Sequence, residues 1–100
     1  MIRGGDSEKI TDLSVSVGFT AEKLRPTSGI FLGFKAYAAT IQPVGGSVHI
    51  NWHGVTATED HMKLEEGQVA KIEGFEDLAN FRCIEGDVDV ALKVHYDYEV

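Results

Sequence analysis

Three of the chain's four histidines, its single tryptophan and an acidic pair fall within residues 45–61, GGSVHINWHGVTATEDH. Neutral imidazoles and carboxylates are good ligands for zinc and related transition metals. Read as a strand, the stretch puts His49, Asn51 and His53 on one face, because side chains alternate across a strand. Glu59 and His61 on a following strand would meet them across a hairpin. Trp52 shares its parity with Val48 and Ile50, so it reads as a core residue rather than a stacking platform for a sugar. The alternative for the histidines is a solvated or subunit-facing sheet surface, and that reading is preferred.

The other reactive residue types form no constellation. Cys83 stands beside Arg82, a cation that would lower a thiol pKa, but no histidine neighbours it in sequence, and it reads as a structural thiol. The paired carboxylates Glu59-Asp60, Glu65-Glu66 and Glu76-Asp77 all fall at expected turns. There they are solvated, and they do not form a shielded pair with separated pKa values. The short GGS at 45–47 is too isolated to cradle a phosphate. A metal-binding cupin carries a histidine pair with one intervening residue, then a glutamate and a glycine. Gly46, His53, Glu59 and Gly67 only echo that order, and nothing downstream supplies the second cupin motif. The expectation is a non-enzyme with no catalytic residue, no metal and no cofactor.

The elements that would position these residues follow from hydrophobic periodicity. In DLSVSVGF, residues 12–19, Leu13, Val15, Val17 and Phe19 alternate with polar positions, the pattern of a half-buried strand. TAEKLRPTSG is a connection punctuated by Pro26 and Gly29, with room for a helical turn at Ala21–Leu24. Residues 30–41 are apolar on both faces: Ile30, Leu32 and Phe34 against Phe31, Tyr37 and Ile41. A strand of that kind is central or covered on both sides, and a partner subunit is one such cover. SVHINWH resumes the alternation with Val48, Ile50 and Trp52 inward. HMKL follows with Met62 and Leu64 inward, QVAKIEGF with Ala70 and Ile72 on one face, a helical loop at EDLAN, and a short strand at FRCI. The last run places Val88, Val90, Leu92, Val94, Tyr96, Tyr98 and Val100 on one side, and the hydroxyls of Tyr96 and Tyr98 need partners if buried. About seven or eight short strands in a chain of this length mean an all-β fold, an antiparallel β-sandwich or small jelly roll.

Size and charge narrow the function. The chain has 100 residues, enough for one domain with a core of its own. Residues 1–9, MIRGGDSEK, are polar and read as a flexible N-terminal arm preceding a single sandwich domain over 10–100. They lack the apolar run of a signal peptide, and no segment approaches the ~18 apolar residues of a membrane span. The lone Cys83 fits a reducing compartment. A net charge of −7 with nine scattered basic residues offers no footprint for nucleic-acid phosphates. Neither nucleic acid nor membrane is an expected partner.

Residues 62–99 resemble the C-terminal half of small virion proteins of tailed bacteriophages. The resemblance runs through Met62, Leu64, Gly67, Gln68, Ile72, Gly74, Leu78, Asn80, Phe81, Arg82, Ile84 and Tyr96. It implies a β-sandwich or jelly roll assembled in a host cytoplasm and carried in the virion. The implied function is a head decoration (cement) protein that binds and stabilises the capsid shell, with the major capsid protein or other virion subunits as partners. Tail, collar or fibre components share the architecture. A small carbohydrate-binding module using Trp52 and Tyr37 is the alternative from another class. A homo-oligomer is expected, with three-fold symmetry to match shell lattices. The expected docking elements are the arm, with Arg3 and Lys9, and the 20–29 connection, with Lys23 and Arg25. The doubly apolar segment adds Phe31, Tyr37 and Ile41, or the opposite parity Ile30, Leu32 and Phe34, as contacts to another chain.

Overall fold

The computed structural model describes residues 2–99, and the side chains of Ile2 and Arg3 lie outside the described residues. In chain order the elements are β1 (Ile2–Ile10), α1 (Ala21–Leu24), β2 (Lys35–Val44), β3 (Val48–Asn51), β4 (Met62–Leu64), β5 (Ala70–Glu73), α2 (Phe75–Asn80), β6 (Arg82–Glu85) and β7 (Ala91–Glu99). The seven strands among the described residues form two antiparallel sheets. One has the order β1-β7-β2-β5 and the other β4-β3-β6. This is the all-β, sandwich-like architecture expected from the alternation.

The last strand is the spine of the larger sheet. β7 pairs with β1 on one side and β2 on the other. Its alternation is sharp: Leu92, Val94, Tyr96 and Tyr98 are buried, while Lys93, His95 and Glu99 are exposed. The smaller sheet contributes Val48, Ile50, Leu64 and Cys83 to the same core. Phe19 fills the space between, stacked on Phe81 at 4.1 Å and edge-on to Tyr96 at 5.6 Å. α2 adds the fully buried Leu78. Its first residues are held where the Gly74 N–H donates to the Tyr37 carbonyl at 2.6 Å.

Several expectations are corrected. The stretch expected as an arm is strand from Ile2 onward, paired with β7 from Ile2↔Glu99 to Ile10↔Leu92. Its polar residues have partners inside the molecule, which composition alone does not reveal. The register shifts between Gly4 and Ser7, and Gly5 packs directly under Tyr98. A Cβ at residue 5 would stand 2.3 Å from the Tyr98 Cδ2, so only glycine lets β1 pass that ring.

Residues 12–19 are not a regular strand. Asp12 is left-handed at φ 58, a turn follows, and Val15 is 63% exposed, although Leu13 and Phe19 are buried as expected. The segment still runs beside β6: Val17 and Cys83 exchange backbone hydrogen bonds at 2.9 and 2.8 Å. Residues 30–34 are a loop rather than the start of β2. Glycines with positive φ at 29 and 33 turn the backbone and release Ile30 and Leu32 to solvent. Met62 has the expected parity but is 60% exposed, because β4 is the edge of its sheet and nothing covers it there. Val88 precedes β7 and is 79% exposed, and Val100 lies outside the described residues.

Candidate functional site

The histidine stretch does not converge on a ligand. The His49 Nδ1 lies 3.2 Å from the His61 carbonyl oxygen, across the β3–β4 hairpin. Asn51 is only 4% exposed. Its amide donates to the Val55 carbonyl at 3.2 Å, and its oxygen accepts the His53 N–H at 3.1 Å. Asn51 therefore shapes the turn rather than standing beside the histidines. His61 accepts the Thr58 N–H on Nδ1 at 3.0 Å and closes a local turn. Among the described residues, no group of three or more His, Cys, Asp or Glu is placed to hold a metal ion.

Cys83 is fully buried, and desolvation pushes its thiol up to about 12. The Arg82 guanidinium donates to the carbonyls of Ala79 and Phe81 at 3.1 and 2.6 Å, so its hydrogen bonds go to the backbone. Glu65-Glu66 and Glu59-Asp60 fall in turns as expected. Glu76 and Asp77 instead occupy the first turn of α2. Trp52 is half-buried against the core, not enclosed by it. It lines an open slot between the β4 and β5 edges together with Met62, Ala70 and Ile72, with Lys71, Glu73 and Asp77 at its rim.

The most elaborately built surface lies at the corner where β1, the 20–34 connection and the end of β7 meet. The Tyr96 hydroxyl donates to Glu8, whose other oxygen accepts from Thr20 at 2.6 Å. The Tyr98 hydroxyl donates to the Lys23 carbonyl at 2.7 Å. Burial raises both phenols, that of Tyr98 to about 12. Lys23 donates to Asp6 at 2.5 Å, which holds the Asp6 carboxyl below its ordinary value and raises the lysine. Glu22 accepts both the N–H and the hydroxyl of Thr27 at 2.8 Å. These two bonds lower its pKa and tie α1 to the loop that follows.

That loop, residues 26–34, is anchored at both feet. The Gly33 N–H donates to the Pro26 carbonyl, and the Phe34 N–H to that of Phe31. The rings of Phe31 and Phe34 pack against Tyr98 with centroids 5.0 and 6.4 Å away. On either side of Phe31, Ile30 and Leu32 stand 86% and 60% exposed.

The structure sorts the expected contact residues. Lys23 and Phe31 line one hollow at this corner, whereas Arg25 turns to α2, 5.0 Å over the Phe75 ring. Lys9 is exposed on the outer face of the four-stranded sheet, opposite Lys93. Tyr37 sits at the β2 irregularity between Ala36 and Ala38, half-buried, its hydroxyl 3.4 Å from Glu73. Ile41 is corrected: it is fully buried in the chain's own core, because the register shift at residue 37 turns it inward, and it cannot touch another chain. The Arg3 side chain lies outside the described residues. Sequence reasoning missed the carboxylates Asp6 and Glu8 as structural partners. The legible signal for the loop was the glycine pair, Gly29 and Gly33, bracketing an apolar triplet. No protein-family model, no curated protein and no solved structure matches this chain.

Proposed function

We propose that the chain is a non-enzymatic structural subunit of a phage virion, a decoration protein that docks on the head shell through the 26–34 loop. The observation that carries this reading is the pair Ile30 and Leu32, held out to solvent on a loop braced by Phe31, Phe34 and Tyr98. A braced tip loses little conformational freedom on docking, so more of its burial energy survives as affinity. Burying an aliphatic side chain contributes ~1.5–3 kcal/mol. Many such contacts around a lattice multiply through effective concentration. Lys23 lines the hollow beside Ile30 and Phe31 and gives the tip a polar contact for orientation.

The test is co-sedimentation with shells lacking the protein. The double variant Ile30→Ser, Leu32→Ser should keep its fold, since both residues are exposed, and lose about a hundredfold or more in shell affinity. Undiminished binding would overturn the docking assignment. The slot beside Trp52 supports a second reading, a carbohydrate-binding module, because it joins an aromatic wall to the polar rim of Lys71, Glu73 and Asp77. Saturable quenching of Trp52 fluorescence by a glycan, with no shell binding, would favour it.

A further inference from the structure

The face of the four-stranded sheet opposite the core sorts its charges by register. Lys9 lies directly opposite Lys93, and Gln42 flanks Lys93 on the other side. In the next row Ser7, His95, Thr40 and Lys71 stand side by side. One row further, Asp97, Ala38 and Glu73 align, and beyond them Glu99 faces Lys35. One half of the face therefore carries Lys9, Lys71 and Lys93, and the other carries Glu73, Asp97 and Glu99. Among the described residues none of those three lysines forms an ion pair. On the acidic half, Asp97 lies 3.6 Å from His95, Glu73 meets the Tyr37 hydroxyl, and the Lys35 ammonium sits over the Phe75 ring.

Like charges directly opposite one another across a strand pair are unfavourable, and Lys9–Lys93 is such a pair. In a chain of net charge −7, three lysines without carboxylate partners on one half-face are a concentration that the fold itself does not use. A copy of the same face, turned through a half rotation, sets each lysine half on a carboxylate half at both ends at once. That is the self-complementary arrangement of an isologous two-fold contact. Near the centre of the face Ala38 is fully buried, and Ser7 and Thr40 carry short side chains. They let two sheets approach the ~10 Å separation of stacked sheets.

We propose that this face binds a second copy of the chain about a two-fold axis, with Lys9, Lys71 and Lys93 of each copy meeting Glu73, Asp97 and Glu99 of the other. The contact rests on the reading of the chain as an assembling subunit, and it uses a surface separate from the 26–34 tip. The charge pattern selects a two-fold contact rather than the three-fold one expected from shell lattices. Four strands and four rows of side chains span roughly 400–500 Å², below the ~800 Å² per partner of a standard interface. The dimer is therefore weak and depends on charge. Screening shortens from ~30 Å at 0.01 M salt to ~3 Å at 1 M, so salt dissociates it.

Sedimentation of the intact protein across that salt range tests the proposal, together with two charge-reversed forms. Lys9→Glu with Lys93→Glu leaves Lys71 as the one lysine of its half and makes the face mainly acidic, and Glu73→Lys with Asp97→Lys leaves Glu99 and makes it mainly basic. Each form alone should be monomeric, with at least a tenfold loss in self-association. An equimolar mixture of the two should dimerise again, because opposite faces then meet. Lys9, Lys93 and Glu73 are exposed and Asp97 is half-buried, and circular dichroism checks that the fold is kept. A wild type that stays monomeric at low salt would overturn the proposal. So would a dimer indifferent to salt and to both reversals, or a mixture that fails to associate. The Ile30→Ser, Leu32→Ser variant should dimerise like wild type, which separates failure here from failure of the docking reading.

Discussion

Two regions of this molecule are rich in polar side chains, and they use them in opposite ways. At the β1–β7 corner, the hydrogen bonds of Tyr96, Tyr98, Lys23 and Thr20 span 88, 75, 17 and 12 positions in sequence. In the histidine stretch, those of Asn51, His53 and His61 span four, two and three, and His49 reaches only across its own hairpin. Long-range polar contacts tie distant segments into one tertiary unit, whereas local ones shape a turn. The stretch that looked chemical by composition is thus strand β3 followed by turns: its histidines bond locally, while Ser47, Gly54 and Ala57 tie it to Asp87, Asn80 and Ser16. The stretch that looked like a loose arm holds the β1–β7 corner together.

Removing residues 2–10 should break that contrast most severely. It strips one edge of β7, uncovers Tyr96 and Tyr98, and deletes the partners of Lys23 and Thr20. The truncated chain should show no cooperative thermal transition by circular dichroism. A melt within a few degrees of the full chain would mean that β1 is dispensable. Gly5→Ala is the finer cut. Its Cβ would collide with the Tyr98 ring, and overpacking of this kind costs about 1–3 kcal/mol. Urea denaturation should show a loss in that range, and an unchanged midpoint would show that the ring yields freely.

The pH dependence of the corner is smaller and has a definite sign. The Asp6 pKa is lower in the folded state than its ordinary 3.8. Its contribution to stability is therefore complete above that value and is lost as pH falls through the lowered one. Asp6→Asn should melt below wild type near neutrality, and the two curves should converge in acid. Parallel curves down to pH ~2 would separate Asp6 from the acid response. Smallest of all are the histidines. His53→Ala should shift stability by no more than ~0.5 kcal/mol, as for an ordinary surface position. Zinc should not raise the melting temperature, whereas a chelator-reversible rise lost in His49→Ala with His53→Ala would restore the metal reading.

Much of the fold was legible because alternation is a strong signal where both neighbours of a strand are present. β7, β3, β5, the short β6 and the helical turn at Ala21–Leu24 all stand where the pattern placed them. The pattern failed where backbone conformation breaks parity. The turn after Asp12 exposes Val15, and the register shift at residue 37 sends Ile41 inward. It also failed where parity was right but cover was missing, as for Met62 and Trp52 beside the open β4 edge. β1 was invisible to composition, because an edge strand can be polar when its carboxylates find buried hydroxyls far along the chain. The hydroxyl requirement of Tyr96 and Tyr98 was legible; that Glu8 and Lys23 would meet it was not. Of the candidate site, Lys23 and Phe31 line one hollow and Arg25 turns to α2, but the exposed pair Ile30 and Leu32 needed the backbone turns at Gly29 and Gly33.

Amide hydrogen exchange on the native protein tests the contrast between the two regions most directly. The β1 amides that bond to β7 should exchange with the slow, global rate of β7 itself, while those of His53, Thr58 and Asp60, bonded only within their own turns, exchange by local opening and much faster. Protection in β1 no greater than at His53, Thr58 and Asp60 would contradict the account, because the long-range polar ties would then hold nothing in place.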